Sequence, residues 1–309
     1  MMSSENQARL AGWQQAAGPL GAILLGKSDQ PWPEARANYM SALDKLFPPP
    51  AGVTFQTVDL GGVPTMVATP EGVIEGRALF YIHGGGYVHG GTEAYRGLAG
   101  RYAVAMKACV YVPDYRQAPE YTYPIPIDDV VRAYRALLAN GSNPADITFA
   151  GDSAGGAMVV TVMRKARDAN LPLPAGGVAI SPWADLTHTS KAHFERDGLD
   201  PLCSREFLVL LARNFLGGVL PSDPDASPVY ADVRGLPPVL IQIGENEVML
   251  SDAIRLAAHL GENRVRCSLE IWPGMFHVWH LFGGMPEADD ALRNGVAFLE
   301  DAMLKASAA

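Results

Sequence analysis

Apolar residues along this chain form short unbroken runs, separated by longer stretches in which they recur at helical spacing. Arg77-Ala-Leu-Phe-Tyr-Ile82, Ala108–Pro113, Ile147–Ala150, Gly177–Ile180 and Pro238–Ile243 are mainly apolar runs of strand length, and Val265–Trp272 reads as a further strand. Phe55–Leu60 and Val63–Ala68 flank Gly61-Gly62 and predict a hairpin. Between Ile127 and Leu138, the apolar positions Ile127, Val130, Val131, Tyr134, Leu137 and Leu138 share one helical face. Further helices are predicted over Ala154–Ala169, Ser251–Leu260 and Ala288–Leu304. The first fifty residues are helix-prone, are broken by Pro31 and Pro33, and stop at Pro48-Pro49-Pro50, which reads as a boundary.

Strand alternates with helix over most of the length, which implies a mostly parallel sheet covered on both faces. The stretch from Asp185 to Asp225 breaks that rhythm, and its apolar patch Phe207–Leu211 predicts a helix within an insertion. No internal repeat or low-complexity tract interrupts the pattern.

Composition narrows the function classes. At 309 residues the chain suffices for one large α/β domain with an insertion or for two small domains. A formal charge of −9, with no basic stripe, makes nucleic acid a poor partner. Cys109, Cys203 and Cys267 are too few and too scattered for a disulfide framework or a metal site. Cys109 and Cys267 sit in apolar, strand-like runs and read as buried thiols in a reducing compartment, hence a cytoplasmic protein. Ala16–Gly26 contains Gly18, Pro19 and Gly21 and is followed by Lys27-Ser28-Asp29, so it reads as helix and not as an export signal. No apolar stretch reaches membrane-spanning length.

Two motifs carry chemistry. Gly151-Asp152-Ser153-Ala154-Gly155 lies between a predicted strand and a predicted helix. In that context Gly-x-Ser-x-Gly holds a serine on a strained turn, and the flanking glycines remove Cβ atoms that would collide. His83-Gly84-Gly85-Gly86 directly follows the Phe80-Tyr-Ile82 run. Three successive glycines make sense where backbone must closely approach a ligand, and the N–H groups of Gly85, Gly86 and Ala154 are the candidate donors to an oxyanion. His83 and His89 are assigned structural roles in this loop. His188, His193 and His259 read as ordinary surface or insertion residues.

A serine nucleophile requires a histidine base and a carboxylate to orient it. Gly244-Glu245-Asn246-Glu247 follows one late strand, and Pro273-Gly274-Met275-Phe276-His277 follows the next. Glu247 and His277 are therefore the leading candidates for acid and base. Glu245 and Asp252 compete for the acid, with Asp252 better placed to begin the helix after Ser251. His280 lies three residues beyond His277, and a two-histidine metal site lacks an evident third ligand. No metal or organic cofactor is expected.

With these residues in place, the chain resembles the hormone-sensitive-lipase family of α/β-hydrolases, the bacterial family IV esterases, from about Gly76 to the C-terminus. The resemblance rests on His83-Gly-Gly-Gly86, Gly151-Asp-Ser-Ala-Gly-Gly156, Asp114-Tyr-Arg-Gln-Ala-Pro-Glu120 with Pro124-x-Pro126-x-Asp128-Asp129, Ser181-Pro-Trp-Ala-Asp-Leu186 and Gly235-Leu-Pro-Pro-Val-Leu240. It implies an α/β-hydrolase fold, with a mostly parallel eight-stranded sheet flanked by helices. It also implies a helical cap made from residues 1–50 and 185–225 over a core of 51–184 and 226–309, and in many relatives a homodimer.

The implied activity is a serine carboxylesterase acting on small esters with short acyl chains through an acyl-enzyme. Glu247-Val-Met stands where many members carry Asp-Pro-Leu. That is similar to a subgroup containing lactone hydrolases and acetyl-ester hydrolases, which remain alternatives, as does a non-catalytic ligand-binding homologue. Trp13, Trp32 and Phe207–Leu211 are the candidate cap contributors to the acyl pocket.

Overall fold

A computed structural model describes residues 2–308. Its centre is an eight-stranded sheet in the order β1-β2-β4-β3-β5-β6-β7-β8. The strands are β1 (Val53–Asp59), β2 (Pro64–Pro70), β3 (Ala78–Ile82), β4 (Cys109–Pro113), β5 (Ile147–Asp152), β6 (Gly177–Ile180), β7 (Val239–Gly244) and β8 (Cys267–Trp272). The predicted hairpin forms β1 and β2, and β2 pairs antiparallel with β4. Every pair from β4 through β8 is parallel.

Of the predicted strands, β3, β5, β6 and β7 are buried on both faces. Along β3, Ala78, Phe80 and Ile82 enter one core, while Leu79 and Tyr81 enter the other. β7 splits the same way, with Val239, Ile241 and Ile243 on one side and Leu240 on the other. Helices α4 (Ile125–Ala139), α5 (Ala154–Asp168) and α8 (Leu250–Glu262) supply side chains to the first core. Helices α3 (Arg96–Met106) and α9 (Pro286–Ser307) supply them to the second.

The pattern gave no sign of α3. Its segment carries Gly97 and Gly100, which weaken helix propensity. Both glycines are needed for close packing: a Cβ on Gly97 would strike the Phe47 carbonyl, and one on Gly100 would lie 2.7 Å from Pro50 Cδ.

The N-terminal segment forms α1 (Ser4–Leu24) and α2 (Trp32–Leu46), with Pro31 as the N-cap of α2 and Pro33 in its first turn. The Trp13 indole N–H donates to Tyr39 Oη (2.9 Å) and joins the two helices. The predicted insertion lies between β6 and β7 and contains a short helix, α6 (Ala192–Glu195), and α7 (Arg205–Leu216), which touches α1. His188 and His193 are insertion residues, one of the two expected places, but they are buried and not on its surface. His188 Nε2 accepts the Trp183 indole N–H, and His193 Nε2 lies 3.0 Å from Asp252 Oδ1. The three cysteines are free thiols, but only Cys203 is buried. Cys109 and Cys267, each the first residue of its strand, are half-exposed, contrary to the buried reading.

Candidate active site

Four loops meet at the carboxyl ends of the parallel strands. They follow β3, β5, β7 and β8 and carry Gly84–Gly86, Ser153, Glu247 and His277 respectively. Ser153 sits between β5 and α5 with φ 54° and ψ −119°, a conformation that strains any residue with a Cβ. Its N–H donates to the Ile180 carbonyl (2.9 Å), and its carbonyl accepts from Trp183 N–H (3.0 Å). The turn closes only because its neighbours are glycines. A Cβ on Gly155 would strike the Ile82 carbonyl, and one on Gly156 would lie 2.7 Å from the Ile180 carbonyl.

The glycine loop is fastened at its first glycine and left open at the next two. Gly84 N–H donates to Tyr95 Oη (3.0 Å) and to Asp152 Oδ1 (3.1 Å). Asp152 also accepts the hydroxyls of Tyr81 (2.8 Å) and Tyr95 (2.7 Å), so one buried carboxylate ties the glycine loop to the serine turn. Burial lifts the Asp152 pKa to about 6 against these donors, which leaves it ionised at neutral pH. His83 stacks on Tyr115 at 4.2 Å and hydrogen-bonds the Gly84 carbonyl (2.8 Å). The N–H groups of Gly85, Gly86 and Ala154 have no hydrogen-bond partner among the described residues. Gly85 and Gly86 adopt φ of 105° and 61°.

Of the three carboxylates considered, the structure brings Glu247 to His277. Glu247 Oε2 lies 2.9 Å from His277 Nδ1, and the carboxylate is fully buried. Its other oxygen accepts Gly244 N–H (2.7 Å) and the Ser181 hydroxyl (2.7 Å). Glu245 instead accepts Gly274 N–H (3.0 Å) and pins the loop before His277. Asp252 occupies the first turn of α8 and holds the insertion through Asp185 N–H, Ser190 and His193. His280 hydrogen-bonds Gln242 (2.9 Å) beneath the site.

Ser153 and His277 line the same cavity of about 70 Å³, and no hydrogen bond joins their side chains among the described residues. Such contacts are commonly loose before substrate binds. Burial works against charge on the His277 imidazole. The Cys203 thiol and the Glu247 carboxylate beside it outweigh burial and hold its pKa well above the ordinary value. Burial also pushes the Cys203 thiol up.

Three neighbours of the site carried no sequence signal for the place they take. Ser181 has φ 45°, buttresses Glu247 and also accepts Val278 N–H (3.2 Å). Asp200, from the insertion, accepts the His277 backbone N–H (3.0 Å), and burial raises its pKa to about 6. Cys203, from the same segment, lines the cavity. Asp200, Glu247 and His277 have ligand-type atoms within 4.8 Å of one another. Of these, His277 Nδ1 and Glu247 Oε2 already hydrogen-bond each other, and Asp200 Oδ2 takes the His277 backbone N–H. The other wall comes from Trp13 and Tyr39 and from Phe207, Leu208 and Leu211 of α7, while Trp32 lies outside it, under the Arg36 guanidinium.

The profile of a family described as alpha/beta hydrolase fold matches residues 79–281. An acetyl-hydrolase of Streptomyces hygroscopicus is 41% identical over 229 residues, covering 74% of this chain and 77% of that one. An esterase of Acinetobacter venetianus is 31% identical, covering 86% and 88% of the two chains. The crystal structure of an esterase from the bacterial hormone-sensitive lipase family superposes with a TM-score of 0.90 at 34% identity, covering 98% and 99%. The carboxyl-edge loops, the eight-stranded sheet and these relatives place the chain in the α/β-hydrolase family, among the hormone-sensitive-lipase-like family IV esterases, as a carboxylic ester hydrolase.

Proposed function

We propose that Ser153, His277 and Glu247 form the catalytic triad of a serine carboxylesterase for short-chain acyl esters. His277 takes the Ser153 proton as the hydroxyl attacks the ester carbonyl, and Glu247 holds the imidazole through Nδ1. The N–H groups of Gly85, Gly86 and Ala154 receive the oxyanion at the positive end of α5. His277 then protonates the departing alcohol, and water activated by the same residue releases the acid from the acyl-enzyme. The observation that carries this reading is the buried Glu247–His277 contact at 2.9 Å, which opens on the cavity lined by Ser153.

The cavity supports short acyl groups, since about 70 Å³ holds only a handful of water molecules. Residues 1–50 and 185–225 serve as the cap and 51–184 with 226–309 as the core, a division supported by the contact of α1 with α7 above the site. Free thiols at Cys109, Cys203 and Cys267 support a cytoplasmic location. No helix among the described residues is long and apolar enough to cross a membrane. The exposed Ile271 on edge strand β8 supports a homodimer formed along that edge. An acidic chain of pI about 5.2 suits a small ester and not nucleic acid.

The decisive experiment is hydrolysis of p-nitrophenyl acetate by wild type and Ser153→Ala. Turnover falls to the background rate while the thermal transition persists; a variant that keeps turnover would exclude Ser153 as nucleophile.

A further inference from the structure

The chain has seven histidines. Six of them hold at least one side-chain hydrogen bond: His83, His188, His193, His259, His277 and His280. His89 is the exception among the described residues. Neither of its ring nitrogens has a partner, and Nδ1 is enclosed. The side chain is only 8% exposed, and it lines the same cavity as Ser153 and His277.

An unpartnered buried polar group is a standing cost, and structures keep few of them without a use. Around His89 the cavity wall is mainly apolar: Phe207 lies 6.4 Å from its ring, Tyr39 meets it edge-on at 5.0 Å, and Leu208 and Leu211 line the same space. Burial drives its pKa down to about 3, with the Arg36 charge adding to the effect, so the ring is neutral at working pH. A neutral imidazole offers one donor and one acceptor. Its backbone is held independently, because Gln117 donates to the His89 carbonyl (3.1 Å) and His89 N–H donates to Gly85 (2.9 Å). The ring therefore does not hold the glycine loop; it presents a polar group to whatever enters the cavity.

We infer that His89 is a specificity-determining substrate contact that hydrogen-bonds an oxygen carried by the ester close to the scissile group. The favoured substrates are esters with an ether, hydroxyl or carbonyl oxygen near the ester function, on the acyl or the alcohol side, over plain alkyl esters of equal size. The inference rests on the serine-esterase reading.

The test uses two pairs of esters that differ by oxygen for methylene. p-Nitrophenyl methoxyacetate against p-nitrophenyl butyrate probes the acyl side, and 2-methoxyethyl acetate against butyl acetate probes the alcohol side. The quantity read is the ratio of kcat/KM within each pair, which cancels the fraction of active protein. Comparing that ratio between wild type and variant cancels the esters' intrinsic reactivity.

His89→Leu lowers the ratio by about tenfold in one pair, the size expected for loss of one hydrogen bond, and that pair identifies the side. His89→Gln, which keeps a donor and an acceptor, retains more of the ratio than His89→Leu. A drop of less than about threefold in both pairs, or a Gln variant no better than Leu, overturns the inference while leaving the esterase reading intact. If the wild-type enzyme turned over none of the four esters, the esterase reading itself would fail, and this inference with it.

Discussion

The Ser181 hydroxyl donates to Glu247 Oε1 at 2.7 Å, on the oxygen opposite the one that meets His277. The same hydroxyl accepts Val278 N–H at 3.2 Å, so one side chain from the end of β6 links the loop after β7 to the loop after β8. Ser181 thus acts on the proposed base only through the acid, as a positioning residue.

Removing that hydroxyl leaves Glu247 Oε1 with the Gly244 N–H alone and Val278 N–H without its buried acceptor. Ser181→Ala is expected to lower kcat about tenfold with little change in KM, and to cost about 1–3 kcal/mol of stability. Steady-state kinetics with a short p-nitrophenyl ester, alongside urea denaturation, measures both. An unchanged kcat would show that Gly244 holds the carboxylate without help.

The pH dependence follows from His277. Its folded pKa is held above 6.5 because Cys203 and Glu247 outweigh the burial that opposes its charge. A general base must be neutral, so activity is complete above the folded pKa and is lost as pH falls through it. The pH profile of kcat/KM, which reports the free enzyme, should show a single acidic limb with a midpoint above 6.5. Glu247→Gln removes the carboxylate that faces His277 Nδ1 and should shift that midpoint to lower pH while lowering the plateau. A wild-type midpoint at or below 6.5 would contradict the arrangement.

How far the sequence was legible depends on how local each cause is. β3, β5 and β7 are visible as apolar runs because both faces of each strand are buried, and α4 is visible because one face is. The strained Ser153 turn is legible because only glycines fit around it. The acid is less legible. Glu245, Glu247 and Asp252 share one stretch of chain, and the choice depends on a turn that lets Gly244 N–H and Glu247 Oε1 meet. Asp200 and His277 are 77 residues apart, and no local pattern announces their hydrogen bond. His193 looked like a surface residue because its partner, Asp252, is 59 residues away. His89 lies three residues beyond the glycine motif, where the sequence suggests a structural role, whereas in the fold it lines the cavity.

Leu211 lines that cavity beside the glycine loop. It projects from α7 onto the glycine loop so closely that a Cβ on Gly86 would lie 2.6 Å from Leu211 Cδ1. The side chain is 3% exposed and shares the cavity wall with Phe207 and Leu208. Leu211→Ala removes its outer methyls from beside the glycine loop, and each acyl methylene that fills the space gains about 0.8 kcal/mol of burial, or roughly fourfold in kcat/KM. The variant should therefore move the optimum of a p-nitrophenyl ester series from acetate or butyrate toward hexanoate, at a stability cost of about 2–5 kcal/mol. The shift belongs in kcat/KM for the longer esters, while the acetate value stays level or falls as the short chain loses its wall. A chain-length profile that keeps its shape would mean that the acyl group lies elsewhere in the cavity, and that α7 covers the site without shaping what enters it.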